Sequence, residues 1–182
     1  LGRVFQDPNM GTASQMNIEE NMMLATRRTK KKTLKWGFNK EDREACVNKL
    51  KSLNLGLENR LEQKVGLLSG GQRQAVTLLM ATIQRPDILL LDEHTAALDP
   101  KTAKVVLELT SKIVEEEKIT TLMITHNMRD AIKYGNRLIM LNEGRVIFDI
   151  SGEEKKNLTV QELLEKKEKD DDIQLDDKMI LG

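Results

Sequence analysis

The 182-residue sequence has little of what marks secreted, membrane-spanning or nucleic-acid-binding proteins. Its one cysteine, Cys46, cannot form an internal disulfide, which suits a reducing compartment. Because 29 basic residues balance 29 acidic ones, no net charge draws the chain to nucleic acid or to an anionic membrane. No apolar run approaches the roughly 18 residues that a membrane span needs, and the first residues show no signal-peptide pattern. We therefore expect a cytoplasmic protein with one sizeable core.

A complete phosphate-binding P-loop is also missing from the sequence. Gly66 and Gly71 have the spacing of its two glycines, but Gln72 and Arg73 stand where the motif has Lys and then Ser or Thr. The motif needs this lysine to reach the β- and γ-phosphates and the hydroxyl to hold Mg²⁺. Because the chain starts at Leu1 rather than Met, with residues typical of a strand, we expect it to be a fragment of a longer protein.

Apolar runs alternate with helix signals over much of the chain, and this alternation predicts an α/β fold. Residues 88–91 are continuously apolar, as in a parallel strand covered on both faces, and residues 120–125 predict a second buried strand. A strand ending near Gln6 and a hairpin turning at 142–144 complete one predicted sheet with parallel central strands. Two longer helices are predicted, from Gly71 to Pro86 and from Asp99-Pro100 to Glu117.

The residues between about 8 and 75 are predicted to be mainly helical. Asn17 and Glu20 have the spacing of a capping box, which predicts a helix that begins after Asn17. A second helix is predicted after Asn39, with three apolar positions: Ala45, Val47 and Leu50.

Two charged segments need an interpretation. The basic run 27–40 stands in a chain with 3% aromatic residues, which offers no platform for stacking bases. We interpret it as a solvated loop, or as a segment near an anionic membrane face. The tail after Ser151 is also charged; Thr159 and Glu162 predict a capped helix within it, and its last residues predict a solvated end.

Polar side chains follow three of the predicted strands. Asp92 and Glu93 come after the most apolar strand, His126 follows the next one, and Gln6 ends the first. Beside a bound nucleotide, Asp92 has the chemistry to hold Mg²⁺, and Glu93 has the chemistry to polarise an attacking water. The alternative interpretation of Asp92 and Glu93 is an acidic strand end in a solvated turn, and that of His126 is a structural histidine. Ligands gather where such strands end, so the common position favours a shared site.

The order of four motifs resembles that in the ATP-binding subunits of ATP-binding-cassette (ABC) transporters. "FQDP" (5–8) is followed by "LSGGQ" (68–72), "ILLLDEHTAALD" (88–99) and "ITH" (124–126). The resemblance implies the P-loop NTPase fold in part, with an α/β core and a helical signature subdomain. It divides the chain into a Q-loop strand (1–7), a helical subdomain (8–75), the rest of the core (76–150) and a charged tail (151–182).

The resemblance also implies a role for each motif residue. Gln6 is the Q-loop glutamine, which contacts Mg²⁺ and the membrane partner, and Asp92 is the Walker B carboxylate that holds Mg²⁺. Glu93 is the general base, and His126 is the switch histidine on the γ-phosphate. The remaining nucleotide contacts fall on the signature residues Ser69, Gly70, Gly71 and Gln72 and on the D-loop, Ala97 to Asp99. His94 stands where the family usually has Pro, and we expect a structural role there.

As a whole, the resemblance implies an Mg²⁺-dependent ATP hydrolase coupled to transport. In this family two ATPase subunits pack head to tail, and the signature of one caps the γ-phosphate that the other holds. The expected partners are therefore a second ATPase subunit, permease subunits at the cytoplasmic membrane face and a solute-binding protein. The flanking sequences resemble bacterial importers of amino acids or similar small solutes. Without a P-loop, we expect the fragment alone to be inactive.

Two other classes of function are alternatives to a transport ATPase. A cassette without a P-loop could serve as a non-catalytic interaction module, although intact Asp92, Glu93 and His126 argue against lost catalysis. DNA-repair and translation ATPases share the signature. The interval between Gln6 and Ser69 is short and has no sustained heptads, and the tail does not begin a second cassette, so we expect no nucleic-acid partner.

Overall fold

A computed structural model describes residues 1–28 and 40–169. Most of the basic run and the end of the charged tail, for which we predicted solvated segments, therefore lie outside the described residues. The chain divides into two compact units, the first spanning Leu1–Ile124 and the second beginning at Thr125. No helix in the described ranges has the length and apolarity needed to cross a bilayer.

The first unit contains a parallel three-stranded sheet, as the apolar runs predicted. Its strands are β1 (Gly2–Val4), β2 (Ile88–Asp92) and β3 (Thr120–Ile124), in the order β1-β2-β3. Val4 pairs with Leu91, and Asp92 at the end of β2 pairs with Ile124 at the end of β3. The carboxyl ends of the three strands therefore meet at one edge of the sheet.

Only one face of this sheet is covered by described residues. Leu89 and Leu91 are buried in the core, whereas Leu122 is 56% exposed and Ile124 is 53% exposed. The prediction that β2 and β3 are buried on both faces is therefore wrong for the described part of the chain. Successive strand residues point to opposite faces, so one half of each apolar run faces outward.

Two long helices build the core beneath the sheet. They are α3 (Gly70–Thr82), which is capped by Ser69 and begins one residue before the predicted Gly71, and α4 (Pro100–Glu117), which begins at the predicted cap, Asp99. A Cβ atom on Gly2 would lie 2.7 Å from the carbonyl oxygen of Ala81, so α3 packs directly on β1. The start of α3 therefore lies toward the carboxyl end of β1, since its other end is beside Gly2.

The helical segment between β1 and α3 begins with the predicted helix α1 (Ile18–Arg27) and its capping box. Asn17 Oδ1 accepts from the Glu20 N–H at 2.7 Å, and Glu20 Oε2 accepts from the Asn17 N–H at 2.8 Å. Helix α2 (Lys40–Lys51) follows, and two single 3₁₀ turns, Leu57–Asn59 and Val65–Leu67, lead to α3.

The predicted apolar face of α2 is partly wrong. Ala45 is exposed, and Cys46 is buried together with Leu50. These two residues are four positions apart and so share one face of the helix, whereas Ala45 lies off that face. Burial raises the pKa of the Cys46 thiol to about 11, so this thiol is inert rather than reactive.

The second unit contains the predicted hairpin and short helices. Strands β4 (Arg137–Asn142) and β5 (Arg145–Ser151) pair antiparallel, and Glu143 and Gly144 turn the chain with φ of 45° and 78°. The hairpin is a separate two-stranded sheet, so the prediction of one sheet over 88–150 is wrong. The cause is that β4 pairs with β5 and not with β3.

Helices complete the second unit. They are α5 (Met128–Lys133), α6 (Gly152–Lys156) and α7 (160–169), the last starting at the predicted Thr159–Glu162 cap. Lys155 is 4% exposed, and its Nζ donates to the carbonyl oxygens of Ile132 and Tyr134 at 2.5 and 3.0 Å. This ammonium group thus satisfies carbonyls at the end of α5.

Candidate functional site

The edge of the sheet holds the two predicted carboxylates. Asp92 is the last residue of β2, and Glu93 follows it with a φ of 43°, in the left-handed region that is uncommon outside glycine. The Glu93 N–H donates to the carbonyl oxygen of Ile124 at 3.0 Å, so the turn is fixed to the end of β3. Such strained backbone collects at functional sites, because it survives only where surrounding contacts hold it.

Asp92 forms an ion pair with Arg3 in this structure. Its Oδ2 accepts from Arg3 Nη2 at 2.9 Å, and the Arg3 guanidinium carbon also lies 4.6 Å from the centre of the Phe5 ring. Both side chains are about half exposed, so the ion pair contributes little stability and a competing cation can reach the carboxylate. The donor chemistry and accessibility of Asp92 fit an Mg²⁺ ligand.

The start of helix α3 is a second polar feature of the first unit. Ser69 Oγ accepts from the Gln72 N–H at 3.3 Å, and Gln72 Oε1 accepts from the Ser69 N–H at 3.2 Å. Both residues therefore cap the helix. The Ser69 hydroxyl still has its own proton to donate, and the first N–H groups of any helix lack intrahelical partners. Ser69 and Gly70 are exposed, so this helix end is open to an anion.

The two glycines of this helix end serve different purposes. A Cβ atom on Gly71 would lie 2.1 Å from the methyl carbon of Thr102 in the first turn of α4. On Gly70, the nearest atom would be Leu98 Cδ2 at 3.2 Å. Gly71 is therefore required for the close packing of α3 on α4, which places the start of α3 beside the 97–99 loop.

This packing predicts different effects of the same substitution at neighbouring positions. Gly71→Ala should lower the free energy of unfolding by about 1–3 kcal/mol through overpacking. Gly70→Ala should be neutral or stabilise by up to about 1 kcal/mol, since alanine favours helix. Urea unfolding measures both. Thr102→Ser removes the opposing methyl and should restore the stability of the Gly71→Ala variant; no rescue would show that the clash is elsewhere.

Asp99 caps helix α4. Its Oδ1 accepts from the Thr102 N–H at 3.1 Å, and hydrogen bonding from Thr102 holds the pKa of the exposed carboxyl below its usual value. The carboxylate that is predicted to contact nucleotide therefore already serves as the N-cap of α4.

His94 joins the Glu93 turn to the middle of α4. It is 2% exposed, and its Nε2 lies 3.2 Å from Thr110 Oγ1. The Thr110 hydroxyl donates to the Val106 carbonyl at 2.8 Å, so its oxygen accepts the proton of His94 Nε2. Neutral His94 thus carries its proton on Nε2, in the structural role that we expected for this position.

Burial lowers the pKa of His94 from 6.5 to about 4, which makes stability depend on pH. The unfolded state binds more protons between these values, so stability is complete above pH 6.5 and falls as the pH drops toward 4. The loss should reach roughly 3 kcal/mol, at about 1.4 kcal/mol for each pKa unit. Urea unfolding over this pH range measures the effect. The dependence of the free energy of unfolding on pH should be lost in His94→Gln and kept in His126→Gln. An equal slope in both variants would contradict the assignment.

The other two predicted site residues follow the ends of strands β1 and β3. Gln6 is exposed, two residues after β1, and His126 is exposed, two residues after β3 and in the second unit. Sequence reasoning missed Arg3, Thr102 and Gln74. Gln74 had a visible signal, since this amide directly precedes the apolar run that begins at Ala75 in α3.

Comparisons with known proteins identify the family of the chain. Residues 1–96 match the family model described as ABC transporter. The tyrosine transport ATP-binding protein of Clostridioides difficile (strain R20291) is 50% identical over 166 residues, which are 91% of this chain and 66% of that protein. The methionine import ATP-binding protein MetN of Streptococcus pneumoniae (strain R6) is 37% identical over 147 residues, which are 81% of this chain and 39% of MetN.

Solved structures show the same similarity in three dimensions. One is the dimeric, post-hydrolysis state of the ATP-binding cassette MJ0796 bound to ADP and Pi, with a TM-score of 0.65 and 30% identity over 82% of this chain. Another is cbiO1 from Clostridium perfringens, part of the ABC transporter complex cbiONQ, with a TM-score of 0.67 and 28% identity. The chain spans 62% and 55% of these two proteins.

Proposed function

The chain belongs to the ABC transporter family, with the α/β fold of its ATPases, and we propose that it forms the signature-bearing part of an ATP-hydrolysing transport subunit. One observation carries the proposal. Within the first unit, Gly71 packs on Thr102, which sets the open start of α3 beside the loop that follows the Asp92–Glu93 turn. An anion-binding helix end and two strand-end carboxylates are the parts that phosphoryl transfer to water requires.

Glu93 is the proposed general base. The bond to Ile124 fixes its backbone at the end of the sheet, and its carboxylate has the chemistry to accept a proton from the attacking water. Asp92 and Gln6 are the proposed Mg²⁺ ligands. Mg²⁺ neutralises the charge of the β- and γ-phosphates when it is bound. Arg3 then has to give up its ion pair with Asp92, which its exposure allows.

Ser69, Gly70 and Gln72 are the proposed cap for a γ-phosphate held by a second ATPase subunit. Helix N–H groups and the Ser69 hydroxyl donate to phosphate oxygens, and no lysine is needed because the other subunit's P-loop brings one. Asp99 lies in the same surface region, at the start of α4. His126 is the proposed donor to the γ-phosphate. The arrangement requires a head-to-tail dimer.

We propose an importer of amino acids or similar small solutes. The support is that the C. difficile relative is named for tyrosine transport and MetN for methionine import. In such a system the protein sits at the cytoplasmic face of the membrane, bound to permease subunits, and a solute-binding protein delivers the solute. Uptake of labelled tyrosine and methionine in cells with and without the gene tests the solute class. Unchanged uptake of both would reject it.

The test of the ATPase proposal compares two proteins. These 182 residues contain no P-loop, and P-loop N–H groups and lysine make most triphosphate contacts. The 182-residue chain with millimolar ATP and Mg²⁺ should therefore show no thermal stabilisation and no hydrolysis, because stabilisation requires binding. The full-length gene product should bind and hydrolyse ATP. A full-length product that neither binds nor hydrolyses ATP would instead be a non-catalytic module. Hydrolysis by the 182-residue chain would contradict the assignment of most triphosphate contacts to the P-loop.

A further inference from the structure

Two consecutive residues in the first turns of α3 reach the loop that contains Gln6. Gln74 is fully buried, and its Nε2 donates to the carbonyl oxygen of Phe5 at 3.0 Å. Phe5 directly precedes Gln6 in the sequence. The helix that begins at Ser69 is therefore bonded to the backbone on the amino side of Gln6.

The neighbouring Arg73 holds the same loop on its other side. Its guanidinium donates to Asn9 Oδ1 through Nη1 and to the carbonyl oxygen of Gly66 through Nη2, the latter at 2.8 Å. Asn9 is itself fixed to Asp7, whose Oδ1 accepts from the Asn9 N–H at 2.8 Å and from its Nδ2 at 2.7 Å. Bonds at residues 5 and 9 thus enclose Gln6 from both sides.

Packing alone does not explain these two side chains. In the described part of the chain, Gln74 Oε1 and Arg73 Nε are buried atoms without a hydrogen-bond partner. Such atoms destabilise a core, and a position that needed only volume would be better filled by Met or Leu. The contact to Phe5 is the one benefit of an amide at position 74 that the described residues show.

We propose that Arg73 and Gln74 are positioning residues that couple the Gln6 loop to the helix end at Ser69. The inference rests on the proposed function, in which Gln6 faces the nucleotide of its own subunit and Ser69 faces the nucleotide held by the partner. A displacement of the loop on nucleotide binding moves the start of α3 with it. The two nucleotide sites of a dimer are thereby linked, and such coupling is reciprocal.

Hydrogen exchange of the full-length gene product without nucleotide tests the contacts. Gln74→Met keeps the length of the side chain, Arg73→Met shortens it, and both substitutions remove the donors. We expect amides of residues 5–10 and 69–73 to exchange about ten-fold faster, as when one hydrogen bond of a local opening unit is lost. Gln84→Met is the matched control, since Gln84 Nε2 also donates to a carbonyl, that of Thr26 at 2.7 Å, but is exposed. Unchanged exchange in both test variants would overturn the proposal.

Gln74→Glu adds a pH test of the same bond. A protonated carboxyl can donate to the Phe5 carbonyl, and a carboxylate cannot. Protection of residues 5–10 in this variant should therefore return toward the parent value at acidic pH and be lost as the carboxyl ionises. Protection that does not depend on pH in this variant would show that donation from position 74 is unimportant.

The dependence of hydrolysis on ATP concentration tests the coupling itself. The parent should have a Hill coefficient between 1 and 2, and Gln74→Met should bring it close to 1 while Gln84→Met leaves it unchanged. A coefficient that Gln74→Met does not lower would overturn the coupling. If the parent hydrolyses no ATP, the proposed function fails, and the exchange measurements alone still decide whether Arg73 and Gln74 hold the loop.

Discussion

Glu93→Gln in the full-length gene product is expected to lower the rate of ATP hydrolysis by about 10²–10⁴-fold while ATP still binds. Glutamine keeps the size and shape of the side chain and its bond geometry in the turn, but it cannot accept a proton from the attacking water. Because chemistry is slowed and binding persists, the variant should accumulate as an ATP-bound dimer. Single-turnover kinetics and gel filtration with ATP measure the two effects.

Two other substitutions separate this role from general damage to the site. Asp92→Asn should weaken Mg²⁺ binding itself, so its hydrolysis should recover in part at high Mg²⁺, whereas that of Glu93→Gln should not. Glu116→Gln changes an exposed carboxylate at the far end of α4 and should leave the rate unchanged. A Glu93→Gln variant that hydrolyses at the parent rate would mean that Glu93 is only an acidic strand end.

The local elements could be predicted because their causes are local. The caps at Asn17 and Asp99 each use a side chain within three residues of the amide that it binds, so they could be predicted from spacing. The turn at Glu143-Gly144 is likewise set by its own residues. Parallel pairing of β1, β2 and β3 followed from apolar runs separated by helices.

The wrong predictions concern contacts between distant parts of the chain. Continuous apolar residues predict that a strand is buried on both faces, but Leu122 and Ile124 face outward in the described residues. A hairpin sequence likewise predicts its turn and leaves open which sheet it joins. Periodicity specifies which residues share a face, and it does not specify what covers that face.

The same contrast between local patterns and long-range contacts applies to the site. The motifs identified Asp92, Glu93 and Ser69, but no pattern predicted that Gly71 accommodates the methyl group of Thr102. The resemblance implied a nucleotide contact for that glycine, and the structure adds a packing role. Similarly, the bonds from Gln74 to Phe5 and from His94 to Thr110 join residues 69 and 16 positions apart, and single-sequence reasoning has no access to such pairs.

The packing role of Gly71 leaves Ser69 and Gly70 as the residues of the helix end that face outward, and this predicts the effect of charge at Ser69. Asp and Asn are both good N-caps, so either residue can replace the bond from Ser69 Oγ to the Gln72 N–H. Ser69→Asp and Ser69→Asn should therefore have similar free energies of unfolding. Only the first places a negative charge where a γ-phosphate must approach.

In a Glu93→Gln background, Ser69→Asp should weaken ATP-dependent dimerisation by roughly 10–10³-fold, because like charges brought to contact distance cost about 1–4 kcal/mol. Ser69→Asn should dimerise far better. The affinity of each monomer's P-loop for nucleotide should be equal in both variants. Sedimentation velocity with ATP measures the dimer, and fluorescent ATP measures binding. Since charge repulsion is screened by ions, the defect of Ser69→Asp should also shrink at high salt. Equal dimerisation of the Asp and Asn variants would show that the start of α3 does not cap a phosphate.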